Sequence, residues 1–201
     1  MKSRATLSIL GDLSYNSLMK KLTLTVVRHG ETPSNLTGVV TGRSEDSLTI
    51  NGKNQMVKVR ENLKGKTFLS VYASPMKRCI ESVQIVAPEY DPIYDDRLDE
   101  RDLGELKNYT IDQLWEKPLW NSLETAHMDG GAETLLSGLE RVKSFLNDLK
   151  EQYPEGGELL LVTHSFISRC LWIVLEDIKD PDEMSTFLHP NDEIKQYILT
   201  F

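Results

Sequence analysis

The sequence predicts an α/β domain of three layers, α/β/α, in which a mainly parallel central sheet lies between helices. Short apolar runs recur along the 201 residues, and such runs are typical of parallel strands that are buried on both faces. Between them lie segments whose apolar residues repeat every three or four positions, which indicates amphipathic helices. Strands that alternate with helices in this way favour βαβ units and therefore a parallel arrangement.

The first predicted strand covers residues 22–27, and a predicted helix follows at 52–64. The stretch Thr49-Ile50-Asn51 introduces this helix. Four apolar residues of the helix are expected to face the core: Met56, Val57, Val59 and Leu63.

The second predicted strand covers residues 68–73. Ser74-Pro75 follows at once and indicates a helix start, with the serine as cap and the proline in the first turn. This helix is expected at 75–87, with Ile80, Val83 and Val86 as its apolar residues. Residues 92–98 are predicted as a third strand.

The clearest helix is predicted at 132–152, and the sequence Pro-Glu-Gly-Gly at 154–157 ends it. Its apolar residues repeat at helical spacing: Leu135, Leu136, Leu139, Val142, Phe145, Leu146 and Leu149. A short buried strand is then predicted at 158–163, a helix at 166–176 and a terminal strand at 194–200.

The chain length favours a single domain, which we place at residues 21–201 after an N-terminal extension at 1–20. Asp12 and several serines interrupt the extension, so it lacks the continuous apolar region of a secretory signal. No apolar run approaches the roughly 20 residues that a bilayer crossing needs, and no membrane association is expected.

Charge and cysteine content narrow the partners and the compartment. The 31 acidic residues outnumber the 23 basic ones, which gives a formal charge of −8 and argues against a general nucleic-acid or anionic-membrane surface. Cys79 and Cys170 are the only cysteines, and they are far apart in the sequence. The absence of a disulfide framework favours a reducing compartment, and we expect the cytoplasm.

Two of the buried strands end on a histidine. The run LTVVRH closes on His29, and the run LLLVTH closes on His164. Parallel strands present their carboxyl ends at one edge of a sheet, where ligands bind, so these two histidines are expected to be neighbours. A lone histidine in such a place is more often a satisfied imidazole, but two at equivalent strand ends favour a function.

Two arginines are expected at the same edge. Arg28 stands beside His29, and Arg78 lies near the start of the helix after the second strand. A helix N-terminus favours an anion, and the planar guanidinium group matches phosphate oxygens. The four residues therefore predict a small cationic pocket for a phosphate monoester, a small molecule, in an otherwise acidic protein.

These residues lie in a series of ordered motifs that resembles the histidine phosphatase superfamily, in its phosphoglycerate mutase-like branch. The motifs are RHGET at 28–32 with Asn35 and Thr41-Gly42, SPMKR ending at Arg78, LDERDLGEL at 98–106, GGAET at 130–134 and LLLVTHS at 159–165. The resemblance implies a phosphoglycerate mutase-like fold with a small cap over the site. The cap would come from about residues 106–131, where Trp115 and Trp120 could pack the cap or line a substrate pocket.

The resemblance also implies a role for each residue of the pocket. Neutral His29 would attack phosphorus and become a phosphohistidine, with its other ring nitrogen donating to a backbone carbonyl. Arg28, Arg78 and His164 would hold the phosphoryl oxygens, and Asn35 would help to orient the group. By the same alignment the remaining substrate-binding positions are Thr41, Gly42 and Ser165. No metal ion or cofactor is expected, because arginines and histidines supply the positive charge.

The leaving group needs a proton, and by resemblance its donor is Glu100 in LDER. For that role the pKa of Glu100 should be raised; Asp99 and Asp102 would raise it and Arg101 would oppose. Without the resemblance, Glu100 would be interpreted as one of several solvent-exposed charged residues at 95–105. The alternative acids, in order of preference, are Glu105 and Glu133.

The same comparison favours a phosphatase over a mutase. The mutases carry a tyrosine and a lysine that help to hold phosphoglycerate, and here those positions are Leu103 and Ile111. Residues 108–134 contain a single basic residue, Lys117. We therefore expect a phosphatase, with a mutase or a non-catalytic phospho-ligand binder as the alternatives.

Three further residues are expected to play lesser parts. His127 and His189 lie in loop-like stretches and are predicted at the surface. Cys79, beside Arg78 near a helix start, reads first as a residue of the helix face. Its setting is one that can lower the pKa of a thiol.

Phe166 and Ser165 depart from the small residues that the family often has after the second histidine.

Overall fold

A computed structural model describes residues 19–107, 109–117, 120–128 and 130–201. Over these ranges the chain forms a five-stranded sheet between helices. The strands are β1 at Lys21–Arg28, β2 at Ser70–Ala73, β3 at Ile93–Tyr94, β4 at Gly157–Thr163 and β5 at Ile194–Thr200. Across the sheet these described strands lie in the order β3-β2-β4-β1-β5, and among them only β5 runs antiparallel to its neighbour, so the predicted α/β class and mainly parallel sheet are confirmed.

Helices connect the strands and cover both faces of the sheet. In chain order they are α1 at Pro33–Thr37, α2 at Ile50–Asn62, α3 at Lys77–Val86, α4 at Ile111–Trp115, α5 at Leu135–Gln152, α6 at Ser165–Leu175 and α7 at Pro181–Ser185. Two 3-10 turns, Asp96–Leu98 and Gly104–Leu106, lie between β3 and α4. In the part of the chain that the structure describes, no helix combines the length and apolarity that a membrane crossing requires.

The alternation of side chains along β4 produces two cores. Leu159 and Leu161 point to one face of the sheet, and Leu160 and Val162 point to the other. The first face packs against α5 and α6, through residues such as Val142, Phe145, Leu146, Ile167 and Leu171. The second packs against α2 and α3, through Met56, Val59, Val83 and Val86. Each fully buried leucine contributes about 1.5–3 kcal/mol, which is why a strand apolar on both faces belongs at the centre of the sheet.

The pairing of β1 with β4 positions the functional edge. The two strands are parallel, and Arg28 lies opposite Thr163 in their register. The amide of His29 continues the ladder and donates to the carbonyl of Thr163 at 2.9 Å. Residues 29 and 164 therefore leave the sheet side by side, although 135 positions separate them in the sequence.

Several predicted boundaries move for physical reasons. The prediction that Val57 faces the core is wrong, because its side chain is 49% exposed. Ser74-Pro75 does not open α3, whose N-cap position is Met76; the Ser74 hydroxyl accepts from the amide of Met76 and donates to Asp99. The third strand shortens to β3 because the side chain of Asp95 accepts a hydrogen bond from the amide of Arg97, which begins a 3-10 turn.

The start of α5 also moves. It begins at Leu135 rather than residue 132, because the amides of Glu133 and Thr134 donate to the carbonyls of Asp102 and Ala126. These backbone bonds bind the start of the helix to the cap. The predicted extension at 1–20 lies mostly outside the described residues, and the domain boundary at residue 21 stays a prediction.

A small cap packs on the functional edge of the sheet. Leu103, Leu114 and Trp120 form a buried cluster of their own, separate from the two main cores. The guanidinium carbon of Arg101 lies 3.3 Å from the ring centroid of Trp120, which joins the cap to the loop after β3. Trp120 therefore packs the cap, the first of the two roles that its sequence position allowed.

Candidate functional site

The two strand-end histidines lie against each other at the carboxyl edge of the sheet. Their ring centroids are 5.1 Å apart, and the rings meet at 61°. His29 is 3% exposed and His164 is fully buried. The parallel pairing of β1 with β4 thus brings together the pair that the sequence analysis singled out.

Hydrogen bonds fix the tautomer of His29. Its Nδ1 atom lies 2.8 Å from the carbonyl oxygen of Gly30, which can only accept, so Nδ1 carries the hydrogen. Its Nε2 atom accepts from Nε of Arg78 at 3.2 Å. Burial, followed by the charges of Arg78 and Arg28, lowers the pKa of His29 well below its usual range. The ring is therefore neutral, with the lone pair on Nε2.

Arg78 is held by backbone carbonyls at the first turn of α3. Its Nη1 donates to the carbonyl of Ser44 at 2.7 Å, and its Nη2 donates to the carbonyl of Gly42 at 2.9 Å. Gly42 has a φ of +56°, and a Cβ there would lie 2.8 Å from Cγ of Leu103. Gly42 thus serves the site by allowing the loop to approach both the cap and the arginine.

Arg28 is held in a different way. Its Nη1 donates to the carbonyl of His189 at 2.9 Å. Its Nε is buried and has no hydrogen-bond partner among the described residues. Burial lowers the pKa of Arg28, and the nearby charge of Glu100 opposes that shift. A buried guanidinium donor without an acceptor is suited to an anionic ligand.

The prediction that His189 lies at the surface is wrong, since its side chain is 2% exposed. Its Nε2 donates to the carbonyl of Glu193 at 3.0 Å, and its Nδ1 lies 2.6 Å from Oγ of Ser168. Burial lowers the pKa of His189 to about 4. The neutral ring fixes the loop whose carbonyl holds Arg28. His127, by contrast, is exposed as predicted.

Asn191 is a site residue that the sequence analysis missed. Its Nδ2 donates to the backbone carbonyl of His29 at 2.7 Å and lies 3.5 Å from Oδ1 of Asn35. It precedes β5, whose Ile194 pairs with Val27 of β1. Nothing local marks Asn191, because its position depends on β5 returning beside β1.

The other predicted substrate-binding residues belong to segments next to those that hold the histidines and Arg78. Oδ1 of Asn35 accepts from the amide of Thr32 at 3.0 Å, which caps α1. The hydroxyl of Thr41 accepts from Oγ of Ser44 at 2.9 Å. Ser165 is half-buried and is the first residue of α6. These contacts order the loops around the histidines.

The three candidate acids have different surroundings. Glu100 is half-buried, its Oε1 accepts from the amide of Arg101 at 2.8 Å, and its charge acts on Arg28. Glu105 is exposed, with its side chain near Gly130. Glu133 is buried and bound by two arginines, Nη2 of Arg141 at 2.8 Å and Nη2 of Arg43 at 3.6 Å. The geometry thus favours Glu100, because the other two carboxylates are turned outwards or neutralised.

Cys79 lies inside the site, not merely on a helix face. Its Sγ is 3.4 Å from Nε2 of His164, and the residue is fully buried. Burial raises the pKa of the thiol, and the charge of Arg78 only partly opposes it. The lowering that a helix start and a neighbouring arginine can produce is therefore not found here, because loss of solvation outweighs the cation.

Comparison with known proteins gives matches over most of the chain. The model of the histidine phosphatase superfamily (branch 1) matches residues 24–200. The probable phosphoglycerate mutase GpmB of Salmonella choleraesuis (strain SC-B67) is 31% identical over 154 residues, which are 73% of this chain and 71% of that protein.

Two solved structures share the fold at lower identity. Phosphoserine phosphatase of Entamoeba histolytica, in complex with 3-phosphoglyceric acid, has a TM-score of 0.74 at 23% identity, over 89% of this chain and 94% of that one. Phosphoglycerate mutase of Bacillus anthracis has a TM-score of 0.73 at 20% identity, over 92% and 90%. The predicted phosphoglycerate mutase-like fold is confirmed. Since the family model also spans most of the sequence, this chain belongs to the histidine phosphatase superfamily, branch 1.

Proposed function

We propose that this protein is a metal-independent phosphatase that hydrolyses a small phosphomonoester through a phosphohistidine on His29. One observation carries the proposal: the neutral ring of His29 presents the lone pair of Nε2 to Arg78, beside His164. A nucleophile for phosphorus needs that lone pair, and the phosphoryl group needs cations around it. Members of this superfamily are phosphatases or phosphoryl-transfer mutases, and both use this chemistry.

In the first step, Nε2 of His29 forms a bond to phosphorus as the bond from phosphorus to the ester oxygen breaks. The ester oxygen leaves as an alcohol, with a proton from Glu100. The hydrogen bond from Nδ1 to Gly30 remains and favours the charge that develops on the ring. Arg28 and Arg78 neutralise the equatorial oxygens, and cations in this position are worth about 10³-fold or more in rate.

In the second step, water attacks phosphorus from the side that the alcohol left. Glu100, now ionised, takes the proton of that water, and the bond from phosphorus to Nε2 breaks. Inorganic phosphate leaves, and His29 and Glu100 return to their starting states. We assign Asn35, Thr41, Gly42 and Ser165 to the substrate side of this site.

Hydrolysis is favoured over mutase chemistry by the residues of the cap. Leu103 is fully buried in the cap cluster and supplies no hydroxyl group, and the side chain of Ile111 is apolar and 43% exposed. These are the positions where the mutases carry a tyrosine and a lysine. The second candidate remains phosphoglycerate mutase activity, which the 31% identity to a probable phosphoglycerate mutase favours. A small phosphorylated acid, such as those named for the relatives, is a substrate class to test first.

We further propose the cytoplasm as the compartment. Among the described residues Cys79 and Cys170 are both buried and both free thiols. Unpaired cysteines are the ordinary state in a reducing compartment.

The first experiment measures release of phosphate from p-nitrophenyl phosphate by the wild-type protein and by His29→Ala. We expect turnover in the wild type and its loss in the variant, while both bind inorganic phosphate in calorimetry. Binding without turnover in the wild type would leave a non-catalytic binder as the function.

The second experiment separates the two activities. The protein is supplied with 3-phosphoglycerate and its bisphosphate, and the products are followed by ³¹P NMR. We expect inorganic phosphate, if this acid is a substrate, and no 2-phosphoglycerate. Isomerisation without net release of phosphate would establish the mutase instead.

A further inference from the structure

A chain of hydrogen bonds leads from His164 towards the loop after β3. Nε2 of His164 lies 2.9 Å from Oγ of Ser74, and that hydroxyl lies 2.6 Å from Oδ1 of Asp99. Ser74 and His164 are fully buried, and Asp99 is half-buried. We name these three side chains the His164 relay. The mechanism described above does not use Ser74 or Asp99.

The direction of the hydrogen bonds follows from the donors available. A carboxylate only accepts, and a hydroxyl has one hydrogen, so Ser74 donates to Asp99. The oxygen of Ser74 must then accept from His164, and it also accepts from the amide of Met76 at 3.2 Å. In the neutral ring of His164 the hydrogen is therefore on Nε2, and Nδ1 has the lone pair.

This tautomer limits what His164 can do for an anion. Burial, followed by the charge of Arg78, lowers the pKa of His164 well below its usual range, so the ring is neutral. A neutral ring with its hydrogen on Nε2 has no N–H to offer from Nδ1 to a phosphoryl oxygen. Two negative charges favour a second proton on the ring of His164. One belongs to a bound phosphoryl group, and the other belongs to the carboxylate at the far end of the relay.

We propose that Asp99, acting through Ser74, is a positioning residue that holds His164 in its Nε2–H form and stabilises the doubly protonated ring when a phosphomonoester binds. The second proton comes from solvent and goes to Nδ1, from which it forms a hydrogen bond to a phosphoryl oxygen. The inference rests on the proposed function, because it gives His164 the phosphoryl-holding role. It adds that the carboxylate of Asp99 makes this role of His164 possible.

The other charged groups near the relay do not replace Asp99. Those that face His164 are Arg28 and His29 at the end of β1, Arg78 and Cys79 on α3 and Arg141 on α5. Those that face Asp99 are Arg43, Asp96 and Arg141. The arginines oppose a proton on His164, and the buried thiol of Cys79 stays neutral. Among the described groups in contact with His164, Ser74 is the one that hydrogen-bonds to a carboxylate.

Two variants test the relay. Asp99→Asn keeps an oxygen that can accept from Ser74 but removes the charge, and Ser74→Ala removes the connection. The matched control is Asp91→Asn, which removes a charge from an exposed position just before β3. With p-nitrophenyl phosphate, whose leaving group needs little help from a general acid, kcat reports mainly on the phosphoryl-holding groups.

We expect the pH at which kcat begins to fall on the alkaline side to drop by about one unit in Asp99→Asn, which is about a tenfold loss of kcat near pH 8. At about pH 5.5 the loss should be within about twofold, since solvent then supplies the proton. Ser74→Ala should shift the profile in the same direction, and Asp91→Asn should leave it in place.

A second readout does not depend on turnover. The ¹⁵N shifts of His164, followed against pH with inorganic phosphate bound, report whether Nδ1 and Nε2 are both protonated. We expect a doubly protonated ring at neutral pH in the wild type and a neutral ring in Asp99→Asn. A neutral ring in the phosphate-bound wild type, or equal titration in Asp99→Asn, would overturn the inference. If the protein binds phosphate with the predicted titration but never turns over an ester, the proposed function fails and the relay stands.

Discussion

The sheet edge and the cap form opposite halves of the candidate site, and they are built differently. At the sheet edge, the two histidines and Arg78 are nearly or fully buried. Backbone carbonyls hold His29, Arg28 and Arg78. On the cap side, Glu100 is only half-buried, and the cap has a small core of its own. From this difference we expect the sheet edge to carry the phosphoryl chemistry proposed above, and the cap and its loops to contact the rest of the substrate.

The largest effect is expected from the sheet edge. Arg78→Ala removes a cation that contacts Nε2 of His29 and is bound by two carbonyls. We expect kcat/KM to fall by about 10³-fold or more, as for other guanidinium groups that stabilise a transferring phosphoryl group. Arg78→Lys should recover only part of the loss, because an ammonium lacks the planar fork. Phosphate-release kinetics measure both; an Arg78→Ala loss below tenfold would contradict the division between the two halves.

The next effect concerns the cap side and depends on the leaving group. Glu100→Gln cannot donate a proton, so hydrolysis of an alkyl phosphate should slow by about 10²- to 10⁴-fold. Hydrolysis of p-nitrophenyl phosphate should slow far less, because p-nitrophenolate leaves without a proton. Glu105→Gln is the matched control, since that carboxylate is exposed on the cap. Equal losses for both esters in Glu100→Gln would count against its role as the acid.

The buried imidazoles of the sheet edge also predict a pH dependence of stability. The pKa of His189 is lowered to about 4, so the folded state binds fewer protons than the unfolded state between about pH 6.5 and 4. The contribution of His189 to the free energy of unfolding is therefore fully present above about pH 6.5. It is lost as the pH falls towards 4, and the loss amounts to up to about 3 kcal/mol. Urea unfolding against pH should show a weaker dependence in His189→Gln.

His127→Gln is the control for this measurement, because His127 is exposed. Its stability profile should follow that of the wild type over the whole range. Identical profiles for His189→Gln and the wild type would show that the buried His189 contributes nothing to the pH dependence of the free energy of unfolding.

The smallest effect is expected from Asn191, which supports His29 from outside the reacting groups. Asn191→Ala removes one hydrogen bond to the carbonyl of His29, worth about 1 kcal/mol. We expect kcat to fall by about fivefold with KM little changed, measured on p-nitrophenyl phosphate. Asn51→Ala removes an exposed amide that donates to Glu31 and should leave kcat unchanged. A larger loss in Asn51→Ala than in Asn191→Ala would contradict the account.

The apolar pattern of the sequence predicts most strands and helices well, because that pattern reflects which side chains of each element are buried. The continuous apolar run of β4 and the apolar period of three to four in α5 follow from the core faces that those elements bury. The strand-end positions of His29 and His164 follow in turn from the parallel sheet. The local pattern did not show that Val57 is exposed, or that the hydroxyl of Ser74 contacts Asp99 from a distant loop.

The parts of the site that the sequence did not reveal depend on long-range pairing. His189 and Asn191 reach the site because β5 pairs with β1, at the far end of the chain. The neighbour of Cys79 in sequence, Arg78, lowers the pKa of the thiol, whereas the complete burial that raises it is visible only in the fold. Residues that support a site from another element become visible only once the register of the sheet is known.

The central claim is that His29 carries the phosphoryl group between the two steps, and the most direct measurement is to trap that species. The protein is mixed with a ³²P-labelled ester for a few milliseconds, quenched in alkali and digested for peptide mapping. The account predicts one alkali-stable, acid-labile phosphoryl group on the peptide that contains His29, and its absence in His29→Ala. Label on another residue, or turnover by the His29→Ala protein, would contradict it.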